Sequence, residues 1–237
     1  MDARAVRGDG EDEAARFAAE LTDLKRRGCH LLVTGIVSDA VRARQTRNLM
    51  GSPRFPRCRL LALVDGDLSR ARTYLPGNLD AQSPRVSVLD FSTTRASGGT
   101  VGETTSPWPS TPGGDASVPG DELSVLRMAI EREIVDGLPA AGPVPGRLRV
   151  GVLTLGALLD TYGVERIRSF VGALGRSVRA ASGMGHCQLP LAPDAAETEA
   201  LLPAFDARVD LRHRDGWPPE QRWYLTTSGE TTEWMLL

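Results

Sequence analysis

Three patterns of apolar and polar positions follow one another along this chain. Short apolar runs with little alternation occupy residues 30–34, 59–64, 85–91, 147–154 and 185–191. Such runs predict strands buried on both faces, hence a parallel sheet. Between them, apolar residues recur at helical spacing. Ala14, Phe17, Ala18, Leu21 and Leu24 predict a helix from Asp12, closed by Lys25, Arg26, Arg27 and Gly28. A second helix is expected after Ser38 or Asp39, either of which can cap it. Its apolar set of Val41, Leu49 and Met50 is thin, so it is expected on the surface. Residues 68–75 predict a short helix. Leu123, Leu126, Ile130 and Ile134 give a clear stripe over 121–136. Residues 155–162 predict a helical turn, and Val164, Ile167, Val171, Leu174 and Val178 a long helix over 164–181. Gly172 and Gly175 each cost that helix about 1 kcal/mol relative to Ala, which suggests close packing on the sheet. Residues 194–202 predict another short helix.

The third pattern is strict alternation in the tail. Residues 208–213, 222–226 and 231–236 each place apolar side chains at every second position. Asp215-Gly216 and Ser228-Gly229 supply turns, so these residues predict an antiparallel meander. Two stretches fit neither pattern. Residues 1–11 are charged and Gly-containing and are expected to fray. Residues 92–120, rich in Ser, Thr, Gly and Pro, lack the apolar content to fold alone and predict a disordered insertion, with a mobile lid as the alternative. The expected protein is therefore a single α/β domain over 12–237, interrupted at 92–120, with a mainly parallel central sheet flanked by helices.

Composition narrows the function. The 237 residues are 41% apolar and 24% charged, with a net charge of −2. This is ordinary globular chemistry, and it argues against general nucleic-acid binding. Cys29, Cys58 and Cys187 are far apart and odd in number, so no disulfide framework is expected. The N-terminus has no apolar signal region, and no apolar run reaches the roughly 20 residues of a membrane span. A cytoplasmic protein without membrane association is expected. Lys25 is the only lysine, so no turn that could hold phosphate contains one.

Gly35 ends the first predicted strand, and a polar turn leads into the next helix. A helix N-terminus at such a place favours anions. Gly35, Ser38 and Arg42 are the anion-site candidates, Arg42 foremost; an exposed solvated helix face is the alternative for Arg42, Arg44 and Arg47. Asp65 and Asp90 follow predicted strands, where ligands of open α/β sheets bind, and are weak candidates for a divalent metal and a hydrolase. The alternatives are a turn at Asp65-Gly66 and a loop cap at Asp90. His186 and Cys187 are adjacent on a strand, so they point to opposite faces and chelate poorly. No G-x-S-x-G elbow or nucleophile arrangement is present. Glu165, Arg166 and Arg168 are expected on a helix surface. Trp217, Trp223 and Trp234 serve either as core or as an exposed aromatic edge for a partner.

The order of these segments resembles the RecA/KaiC-like P-loop superfamily. The resemblance rests on the helix before LLVTG, the strand RVGVLTLGALLDTYG, the helix VERIRSFVGALGRSV and the closing strands FDARVDLRHRDG, EQRWYL and TEWMLL. It is nearest to uncharacterised haloarchaeal RecA-like proteins with a degenerate P-loop. The G-x-x-x-x-G-K-[ST] pattern would begin at Gly35, which puts Ala40, Val41 and Arg42 where the second Gly, the Lys and the Ser/Thr belong. The strand acid falls at Leu153, with Thr154 beside it. The Lys charge and the Mg²⁺ ligands are therefore missing. The resemblance implies a non-catalytic domain without a cofactor, acting as a regulatory or protein-interaction module through an unknown protein partner or self-association. The alternative is a nucleotide or phosphate-ligand binder using the altered loop.

Overall fold

The structure, a computed structural model, describes residues 5–64, 68–91 and 122–237. In chain order the elements are α1 (Ala5–Arg27), β1 (Cys29–Thr34), α2 (Asp39–Met50), β2 (Cys58–Leu63), α3 (Ala71–Tyr74), β3 (Val86–Asp90), α4 (Glu122–Asp136), β4 (Leu148–Leu153), α5 (Leu155–Tyr162), α6 (Val164–Ala180), β5 (Met184–Leu189), α7 (Ala196–Leu201), β6 (Ala207–Arg212), β7 (Glu220–Leu225) and β8 (Met235–Leu236). A single turn of 3₁₀ helix, Leu68–Arg70, precedes α3.

The eight strands form one sheet in the order β3-β2-β4-β5-β1-β6-β7-β8. From β3 to β6 every pairing is parallel; β7 and β8 are antiparallel additions. The strands β1 to β5 are buried at every position, as their continuous apolar runs predict. The chain winds both ways from β1, so both faces of the sheet are covered. On one face Leu32, Leu60, Ala62, Val150, Val152 and Leu189 meet the stripes of α4 to α7. On the other, Leu31, Val33, Val209 and Leu211 meet Leu24 of α1 with Val41 and Leu49 of α2. Leu61, Leu63, Val86 and Val88 meet Met50 and Tyr74 on that same side.

Four expectations are corrected or refined. Helix α1 begins at Ala5, so residues 5–11 are helical rather than a frayed tail. Helix α2 keeps Asp39, Ala40, Arg44 and Asn48 exposed but buries a wider face than its apolar set suggests. Gln45 and Thr46 are buried with its apolar residues; Gln45 donates to Gln221 at 3.2 Å and Thr46 accepts from Gln188 at 2.6 Å. The tail is only partly a meander. β6 pairs parallel to β1, and antiparallel pairing starts with β7. Gly216 and Gly229 supply the expected turns, each at φ 75°. Of the two helical glycines, only Gly175 meets the sheet closely: a Cβ there would stand 2.9 Å from His30 Nδ1. Residues 92–120 lie outside the described residues, as does Trp108.

His30 and His186 are buried on opposite faces of adjacent strands. Burial drives both imidazoles down to about 3, Arg179 and Arg149 adding to the effect at His30 and His186 respectively. Each is therefore neutral when folded and titrates near its ordinary pKa when unfolded. Protonation favours the unfolded chain, so stability is full above about pH 6.5 and is lost as pH falls toward 3. Between pH 7 and pH 5 each histidine is expected to remove about 2 kcal/mol from the unfolding free energy. Urea unfolding at a series of pH values checks this, and His30→Gln should reduce the slope by about half.

Candidate functional site

In an open parallel sheet, the crevice beyond the C-terminal strand ends is where ligands gather, at the point where connections leave in opposite directions. Here that point lies between β1 and β5. β1 leads to α2 on one face, while β5 leads to α7 on the other. The turn 35–38 therefore sits where a phosphate-binding loop would sit, and the structure brings Gly35, Ser38 and Arg42 together around it.

Gly35 and Arg42 are already engaged. The Gly35 N–H donates to the Leu191 carbonyl at 2.8 Å, tying the turn to the exit of β5. Gly35 has φ +123°, and a Cβ on it would stand 2.3 Å from the Leu211 carbonyl oxygen of β6. The glycine is thus required by the approach of two backbones. Ser38 takes the N-cap conformation of α2, with its side chain making no cap hydrogen bond. Arg42 turns back on its own helix: Nη1 donates to the Val37 carbonyl at 2.5 Å and Nη2 to Asp39. Arg70 reaches the other Asp39 oxygen at 3.2 Å. The Arg42 hydrogen bond, helped by the charges of Arg42 and Arg70, holds the Asp39 carboxyl below the usual range. Asp39, in the first turn of α2, suits the helix dipole and ties up the guanidiniums of Arg42 and Arg70. Ile36, 80% exposed, is the outermost apolar side chain of the turn.

The acidic candidates do not join this site. Asp90 is buried at the end of β3, four strands from β1, or about 19 Å at ordinary strand spacing. Asp65 lies outside the described residues. Leu153, at the strand-acid position, is buried among Leu61, Leu63 and Val88. No group of three or more His, Cys, Asp or Glu side chains with metal-binding geometry occurs among the described residues. His186 and Cys187 do face opposite ways. Cys187 instead meets His30 of the neighbouring strand, Sγ to Nε2 at 3.3 Å. Burial pushes the Cys187 thiol up and the His30 imidazole down, so neither is an activated nucleophile or base.

Sequence reasoning missed a charged lattice beside the turn. Asp210 of β6 is 0% exposed. Its Oδ1 accepts from Thr34 Oγ1 at 2.9 Å and from Arg208 Nε at 2.6 Å; its Oδ2 accepts from Arg222 Nη2 at 3.0 Å. Two register positions away, Glu220 binds Arg212 at 2.8 Å and Arg214 at 3.0 Å. The guanidiniums of Arg212 and Arg222 lie 4.0 and 4.8 Å from the Trp234 ring, and that of Arg208 lies 5.2 Å from Tyr224. The alternation of β6 and β7 reads as a solvated face until the strand register sets Asp210 opposite Arg222.

The sequence profile of DUF7504, a family of unknown function, matches residues 28–211, more than three quarters of the chain. The chain belongs to the DUF7504 family. No curated protein matches it. The matched span contains β1 to β5 and all but the last residue of β6, whereas α1, β7 and β8 lie outside it. Asp210 thus joins the DUF7504 sheet to the strands added beyond it.

Two substitutions test these roles. Gly35→Ala is expected to lower stability by at least about 2 kcal/mol without any ligand, because strand backbone must move. Asp210→Ala leaves Arg208 and Arg222 without their buried carboxylate and is expected to cost about 3–5 kcal/mol. Urea unfolding followed by tryptophan fluorescence measures both, since Trp223 and Trp234 report on β7 and its surroundings.

Proposed function

We propose that this protein is a non-catalytic RecA/KaiC-like domain that serves as a regulatory or protein-interaction module. The observation that carries this reading is the engagement of Arg42 in the turn after β1. Arg42 is bound to Asp39 and Val37, and Leu153 stands where a metal-holding acid would be needed. The order of helices and parallel strands agrees with the RecA/KaiC-like resemblance of the sequence. An interaction role draws further support from the far end of the sheet. Trp217 is 62% and Leu236 68% exposed, and Leu236 lies opposite Glu220, three residues from Trp217 in the chain. Aromatic and aliphatic side chains grouped this way suit a protein partner or a second copy. No described helix is long and apolar enough to cross a membrane.

Thermal unfolding with Mg²⁺ and ATP or ADP tests the reading. A ligand held at 100 times its dissociation constant adds about 2.7 kcal/mol, a rise in midpoint of about 5–10 °C for a chain of this size. The expected result is no rise that depends on Arg42, together with no ATP hydrolysis above the buffer rate. A rise with Mg·ATP that Arg42→Ala abolishes would replace this reading with a nucleotide or phosphate binder at Gly35, Ser38 and Arg42.

A further inference from the structure

The opposite end of the sheet, where the parallel strands begin, carries a different charge pattern. Arg57-Cys58-Arg59 leads into β2 and Arg147-Leu148-Arg149 into β4. The strand register sets Arg59 beside Arg149 and Cys58 beside Leu148, so the two Arg-x-Arg segments run side by side. Cys58 and Leu148 turn to the core beneath α4 to α7. Alternation sends Arg59 and Arg149 to the other face, under the C-terminal end of α2.

The arginines differ in how they are satisfied. Arg59 donates to the carbonyls of Met50, Gly51, Ser52 and Arg57 at 2.9–3.2 Å and so closes the end of α2. Arg57 donates from Nε to the Gly146 carbonyl at 3.3 Å, and its guanidinium lies 5.0 Å from the Phe55 ring. Arg149 is only 8% exposed, yet its Nε and Nη1 have no hydrogen-bond partner, and neither has Arg147 Nε. No carboxylate pairs with Arg57, Arg59, Arg147 or Arg149 among the described residues. Burial, with Arg57 and Arg59 close by, draws Arg149 down to about 10, so it remains a cation at neutral pH. A buried cation with unpaired donors is costly, and an anion relieves that cost.

Gly146 leaves room beside the guanidinium. At φ +67°, a Cβ there would meet, apart from the glycine's own chain neighbours, a single atom within 4 Å, Arg149 Nη2 at 3.6 Å. The missing side chain thus leaves space beside the outer nitrogen of Arg149, next to the carbonyl that accepts from Arg57.

We propose that Arg57, Arg147 and Arg149 form a binding site for a doubly charged tetrahedral oxyanion, a phosphoryl or sulfuryl group, at the N-terminal edge of the sheet. Three guanidiniums without a carboxylate favour a dianion over a single carboxylate, and the forked donors suit tetrahedral oxygens. Arg149 is the buried anchor, Arg147 and Arg57 flank the entrance, and Arg59 holds the floor through α2. The site is separate from the turn after β1, which lies at the other end of the same strands.

The test is thermal unfolding and titration calorimetry with inorganic phosphate, pyrophosphate and sulfate, each against sodium chloride at equal ionic strength. The expected result is a rise in midpoint of at least about 2 °C with the dianions and none with chloride. Arg149→Met should abolish it, Arg147→Gln should weaken binding at least tenfold, and Arg26→Ala on α1 should leave it unchanged. Arg147 is only partly buried, so Arg147→Gln decides the matter if Arg149→Met does not fold. An equal rise with chloride, no rise at all, or a rise that survives both site variants would overturn the proposal. So would a rise abolished by Arg42→Ala, which would move the anion to the turn after β1. Tighter binding of pyrophosphate than of phosphate would point to a phosphoryl ester of a larger molecule; equal binding would point to the free ion.

Discussion

Strand β1 has to satisfy both edges and both faces at once. It pairs with β5 on one side and β6 on the other, and all six of its residues are buried. Every later segment answers to that demand. α2 must leave toward one face so that α4 to α7 can cover the other. Gly35 must lack a side chain so that the strand can end against Leu211. Thr34 must have a partner for its buried hydroxyl, and Asp210 supplies it across β6.

Much of this architecture was legible in the sequence. Burial on both faces writes a continuous apolar run, so β1 to β5 stood out within one or two residues of their ends. β6 stood out as a strand at 208–213 but not as a parallel one, because one of its faces carries Arg208, Asp210 and Arg212. Its alternation is that of a half-buried strand, and nothing local distinguishes a parallel neighbour from an antiparallel one. The buried side of α2 was under-read for a related reason. It includes the polar residues Gln45, which donates to Gln221, and Thr46, which accepts from Gln188, both partners more than 140 positions away in the chain. The start of α1 was misread because charged residues and two glycines hid a helix.

The candidate site shows the same limit. That the turn lacks the Lys, hydroxyl and acid of a phosphate loop was visible from residue types alone. That Arg42 and Arg70 would be tied to Asp39 was not, since an acid at the first turn of a helix is common. Nor could the sequence pair Thr34 with Asp210, 176 residues on. At the other end of the sheet, two Arg-x-Arg segments became neighbours only once β2 was known to lie beside β4. The two ends now contrast. One gathers charge of both signs and neutralises it locally, and the other gathers one sign and leaves buried donors unpaired.

Among the described residues the sheet finishes on β8, a strand of two residues. A long, flat final strand would offer a row of free N–H and C=O groups on which any extended chain could assemble. Two residues offer almost none. Strand addition, the least selective way for proteins to join, is thereby curtailed at this end. What this end presents to its surroundings is therefore the side chains of Trp217, Met235 and Leu236 rather than a row of backbone groups. Side chains can be changed one at a time without redrawing the backbone, so that surface can vary while the sheet stays fixed.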